Sequence, residues 1–70
     1  MEHKLRQLLA TAERNVFESR RTAEVQRVLV EKVVRGGGDA AIARELLRAF
    51  QATQAMFEVH LDQLKRLMKK

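Results

Sequence analysis

The chain has 70 residues, a formal net charge of +5 and no cysteine or proline. It is therefore one domain at most, without disulfides or thiolate metal sites to support a small core. With 46% hydrophobic and 33% charged residues it is too apolar for a disordered segment, yet no run approaches the roughly 20 uncharged residues of a membrane span.

A first helix is predicted from about Glu2 to Arg35. Its seam is Leu5, Leu9, Ala12, Val16, Ser19, Ala23, Gln26, Val30 and Val33. These residues alternate steps of four and three, the period of a left-handed coiled-coil contact. Leu8 and Leu29 widen the stripe on one flank. Phe17, Val25 and Val28 fall off it and are candidates for a second association face.

The only glycines, Gly36-Gly37-Gly38, punctuate the chain. They read as a turn over residues 36–39, with a C′ glycine closing the first helix. Asp39 is expected as the N-cap of the second helix, accepting from its first free N–H groups and complementing its dipole. So short a turn folds the helices back antiparallel. Phosphate loops follow a strand and carry Lys and Ser or Thr; the triple glycine has neither, so it is read as a turn.

A second helix is predicted from Ala40 to about Lys69, and it carries two adjacent seams. One is Ile42, Leu46, Ala49, Thr53, Met56, His60, Gln63 and Leu67. The other is Ala43, Leu47, Phe50, Gln54, Phe57, Leu61, Leu64 and Met68. A lone hairpin uses about one seam per helix, so this width suits a helix with two neighbours. The expected oligomer interface is the richer seam, Leu47, Phe50, Phe57, Leu61 and Leu64, together with Leu9, Val16 and Val30. A two-fold dimer forming an antiparallel four-helix bundle is the simplest closure. A heterologous protein would satisfy the same surface.

Polar residues interrupt the seams. A turn at 36–39 sets Thr22 opposite Thr53 and Asn15 opposite His60. With Gln54 these form a candidate polar layer fixing register. Two other readings are a small pocket lined by Asn15, Gln54 and His60, or side chains reaching water at the seam edge. His60 has no nucleophile or acid fixed beside it, so it reads as a packing residue sensitive to pH, not a base. Its distance along the chain from His3 argues against a zinc site.

Lys4, Arg6, Lys65, Arg66, Lys69 and Lys70 gather at the open end, against Glu2 and Asp62. Arg14, Arg20, Arg21 and Arg27 lie along the first helix, partly matched by Glu13, Glu18, Glu24 and Glu31. The candidate anion-facing set is Arg14, Arg20, Arg21, Lys65, Arg66 and Lys69. No aromatic stacking platform or short recognition helix accompanies it.

The segment Ala12-Glu13-Arg14-Asn15-Val16, Gln26 with Val30, and Gly38-Asp39 carry a resemblance, joined in the second helix by Ala43, Leu46-Leu47, Phe50, Gln54, His60, Asp62 and Leu64. Over roughly residues 10–65 the chain resembles a set of small helical-hairpin proteins of rhizobial-type proteobacteria that carry no assigned activity. The triple glycine departs from that pattern, where one glycine among polar residues is usual. The resemblance implies a bacterial, cytoplasmic small protein. In architecture the chain is also similar to Rop, the plasmid copy-control hairpin that dimerises into a four-helix bundle and binds paired RNA loops, although no RNA-contact motif matches.

The expectation is thus an all-α two-helix hairpin acting as a non-enzymatic interaction module, dimerising with itself in the cytoplasm. No catalytic, metal, cofactor or small-molecule site and no membrane are expected; the first residues, Met1-Glu2-His3-Lys4, have no apolar signal core. The alternatives are an RNA- or DNA-binding bundle, and a chaperone- or antitoxin-like hairpin that folds on another protein.

Overall fold

The computed structural model describes the backbone of residues 2–69 and the side chains of residues 3–69. The expected roles of the Glu2 and Lys70 side chains fall outside this range. Helix α1 spans Glu2–Arg35 and helix α2 spans Ala41–Met68. They form one antiparallel hairpin with Cα extents of 54 × 13 × 13 Å. Among the described residues there is no strand, and no helix is long and apolar enough to cross a membrane.

Neither helix interior contains Gly or Pro, and both are rich in Ala, Leu, Arg, Glu and Gln, the best helix formers. The turn stops α1 by backbone geometry. Gly37 has φ +78°, a conformation that side chains other than hydrogen rarely adopt. Its N–H donates to the Val34 carbonyl at 3.0 Å, and the Gly38 N–H to the Val33 carbonyl at 2.9 Å. This pair of bonds is the Schellman closure, satisfying carbonyls that the helix end would leave open. Lys32 and Arg35 in the last turn face the negative end of the helix dipole.

The start of α2 departs from expectation by one residue. Ala40, not Asp39, is the N-cap (φ −96°, ψ 14°), and its carbonyl accepts the Arg44 N–H at 2.8 Å. Ala40 is buried, so a small residue sits where the chain enters the interface. Exposed Asp39 lies just outside, and its Oδ1 accepts the Ala41 N–H at 3.0 Å. The anionic cap survives, displaced by one position.

The seam of α1 faces α2 as its spacing predicts. Ala12, Val16, Ser19, Ala23 and Gln26 are buried, and Leu5, Leu9, Val30 and Val33 are half-buried. The two seams of α2, however, take the opposite places from those expected. The richer seam turns inward. Leu64 is buried, and Ala43, Leu47, Phe50, Gln54, Phe57 and Leu61 are half-buried against α1. The other seam, from Ile42 to Leu67, is exposed throughout. The expected interface set of Leu9, Val16, Val30, Leu47, Phe50, Phe57, Leu61 and Leu64 therefore lines the hairpin's own interior. Volume complementarity explains the choice: α1 presents small Ala12, Ser19 and Ala23, which leave room for Phe50, Phe57 and Leu64.

This core is thin. Val16 and Leu64 are its only large apolar side chains that are buried among the described residues. Each is worth about 1.5–3 kcal/mol, which leaves a two-helix unit marginal on its own.

Candidate interaction surface

The long sides of the hairpin differ. One groove is lined by Asn15, Glu18, Ser19 and Thr22 from α1 and by Phe50, Thr53 and Phe57 from α2. Glu18 is its one ionisable side chain. The opposite groove is lined by Val16 and Arg20 from α1 and by Glu58, Leu61, Asp62 and Lys65 from α2. Seven-residue steps along a coiled-coil helix return to the same side. The neutral flank therefore extends to Leu8 and Leu29 on α1 and to Leu46 and Leu67 on α2. All four leucines are exposed, at 46–60% of their accessible area. The outward side of α2 adds Ile42, Met56 and Val59, also exposed, and a shallow groove lined by Ala52, Ala55, Met56, Val59, His60 and Gln63.

A salt bridge between the helices crosses the charged flank. Arg20 Nε and one terminal guanidinium nitrogen both reach Glu58 Oε2 at 2.9 Å, and Gln54 Nε2 donates to the same oxygen at 3.3 Å. The Arg20 hydrogen bond, then that from Gln54, holds the Glu58 carboxyl below its ordinary pKa of 4.5. Further along α1, Arg27 bridges Glu24 and Glu31. Hydrogen bonding to Arg27 lowers the pKa of Glu24, and the two carboxylates raise that of Arg27. All these groups are solvated, so water screens the pairs and they add little to stability.

The candidate polar layer is not assembled as expected. Thr22 and Thr53 do line one groove, but both are exposed, and the Thr53 hydroxyl donates back to the Ala49 carbonyl at 3.1 Å. Asn15 is half-buried in that groove. His60 is exposed among the residues on the back of α2, so no pocket of Asn15, Gln54 and His60 forms. The reason is rotational: His60 belongs to the outward seam, and only the inward seam is drawn under α1.

The buried polar positions are Ser19 and Gln26. The Ser19 hydroxyl donates to the Val16 carbonyl at 2.9 Å, within its own helix. Gln26 Nε2 crosses the hairpin to the Ala43 carbonyl at 3.0 Å. No buried side-chain nitrogen or oxygen lacks a partner among the described residues. The signal for Gln26 was its place in the α1 seam, where a long amide must find an acceptor.

The anion-facing set is divided by the same pairing. Arg20 is committed to Glu58 and Arg66 to Asp62 at 2.8 Å. Arg14, Arg21, Lys65 and Lys69 are exposed, and lie on different faces of the hairpin. Phe17, Val25 and Val28 are exposed as expected, and Val25 and Val28 share a shallow groove with Glu24, Leu29 and Lys32. Among the described residues no group of three His, Asp or Glu side chains is placed to hold a metal ion.

No family model matches the chain, and no curated protein or solved structure matches it significantly.

Proposed function

We propose that the protein is a non-enzymatic interaction module that works as a homodimer, two hairpins closing into an antiparallel four-helix bundle. One observation carries the reading: large apolar side chains, Ile42, Leu46, Met56 and Leu67, recur along an exposed face of a helix whose inward seam is already occupied, with Ala49, Thr53, His60 and Gln63 between them. Large apolar side chains left exposed at intervals over that length mark an association site, and the thin core inside the hairpin leaves a stability deficit that a partner relieves. A second copy is the partner of least cost, because one self-complementary patch then serves both chains.

The test is the mass in solution by light scattering, with helical circular dichroism followed through a dilution series. A helical dimer that loses helicity on dilution supports the reading. A helical monomer whose signal does not change with concentration overturns it. A weakly helical monomer assigns the row to a different protein, as a chaperone- or antitoxin-like hairpin would use it.

A further inference from the structure

We infer that the second copy docks on α2 in antiparallel orientation, with Met56 near the two-fold axis and the two turns at opposite ends of the bundle. This rests on the homodimer proposed above and adds its geometry and its contacts.

The two helices contribute unequally to the outer surface. The outward side of α2 carries Ile42, Leu46, Met56, Val59 and Leu67, all exposed, with Ala49 and Ala52 between them and two charges, Glu45 and Arg66, in the row of Val59. The outward side of α1 interleaves its apolar groups with Arg14, Glu18, Arg21 and Lys32. Packing α2 on α2 removes more apolar area from water than packing α2 on α1, and desolvates fewer charges.

The order of residues along the neutral flank reads alike from either end. On α2 it is Leu46, Thr53, His60, Leu67; on α1 it is Leu8, Asn15, Thr22, Leu29. A second copy rotated about an axis through the middle of the flank therefore places leucine on leucine at both ends. Polar groups meet polar groups at the centre. Met56, midway between Thr53 and His60, then meets its own counterpart.

Charge separates the two ways of arranging the ends. By sequence the open end holds Lys4, Arg6, Lys65, Arg66 and Lys69 with Glu2 and Asp62, whereas the turn end mixes Glu31, Asp39 and Glu45 with Lys32, Arg35, Arg44 and Arg48. Turns at the same end would bring two strongly basic ends together, and turns at opposite ends keep them apart. The 54 × 13 Å Cα outline of a whole face, on the order of 700 Å², gives room for a contact near the ~800 Å² that each partner buries in a standard interface only if nearly the full length is used.

The absence of cysteine lets introduced thiols report this geometry by air oxidation of the full chain. Met56→Cys is expected to form a disulfide-linked dimer, doubling the mass under non-reducing conditions, with helicity and light-scattering mass as in the parent. An equimolar mixture of the Thr22→Cys and Thr53→Cys chains is expected to give no mixed disulfide. A mixed Thr22→Cys/Thr53→Cys link, which requires α2 to lie over the partner's α1 with both turns at one end, overturns the inference and leaves the homodimer standing. A dimer by light scattering that yields neither link overturns it as well. A monomeric parent at every concentration overturns both this inference and the homodimer.

Discussion

Gln26 and Glu58 are each tied across the hairpin by a side chain, with different consequences. The Gln26 amide is buried and donates to the Ala43 carbonyl. Gln26→Ala should cost about 1 kcal/mol in urea unfolding at fixed protein concentration, the net worth of one such bond. Gln63→Ala, on an exposed position, should stay within about 0.5 kcal/mol in the monomer. The Glu58 carboxyl is solvated, and its pKa is lowered first by the Arg20 hydrogen bond. A lowered folded value favours the ionised form. The contribution is thus complete above the unfolded value and fades as pH falls through the folded one, below about 4.5. A side-chain NMR titration should place the Glu58 midpoint under 4.5, and Arg20→Ala should return it towards the ordinary value. An unchanged midpoint in that variant would remove Arg20 as the cause.

At the scale of the elements, the turn and the seam make separate demands. Among the described residues Gly37 alone holds a positive φ, so Gly37→Ala should destabilise the hairpin by about 1–2 kcal/mol. Gly36 is free of that demand; a Cβ there meets only ordinary contacts, at 3.5 Å or more. Gly36→Ala should therefore be neutral or stabilise by up to about 1 kcal/mol through the unfolded chain. Thermal unfolding of the pair at one concentration distinguishes the sites. Leu64, the buried anchor of α2, should cost about 2–3 kcal/mol when cut to alanine, the lower part of the range because the site opens to solvent on one side.

The helices, the turn and the whole α1 seam were legible in the sequence, because apolar spacing and a lone glycine cluster encode them directly. The rotation of α2 was not. Two adjacent seams with the same period differ only in which one fits Ala12, Ser19 and Ala23 across the gap, and periodicity contains no information on volume. The same blind spot misplaced His60, whose row points away from Asn15. Asp39 was recognised as a capping acid but set one residue early, since three glycines leave the exact start of α2 open. The Arg20–Glu58 pair was hidden for another reason: its partners are 38 residues apart, and helical periodicity relates charges only three or four positions apart on one helix.

At the scale of the whole molecule, the hairpin is itself amphipathic, with one flank rich in exposed leucine and carrying few charges, and a charged flank crossed by the Arg20–Glu58 ion pair. Leu46→Glu combined with Leu67→Glu should halve the mass seen by light scattering if the neutral flank is the meeting surface. Both side chains are exposed in the single hairpin, so the change leaves its interior untouched. Phe50→Asp with Phe57→Asp should instead erase helicity, because those rings fill the space against α1.

The thinness of the interior has a meaning for the cell that lies outside the geometry. With Val16 and Leu64 as its main buried anchors, a lone hairpin opens often, and an open chain is what proteases cut. A chain completed by its own copy is protected in proportion to how much of it is present, since association shifts the folding equilibrium by mass action. In the proposed homodimer abundance would then regulate survival: chains below the dissociation constant would be short-lived, and those accumulating beyond it would persist. The protein would hold a threshold in its own supply without any further regulator.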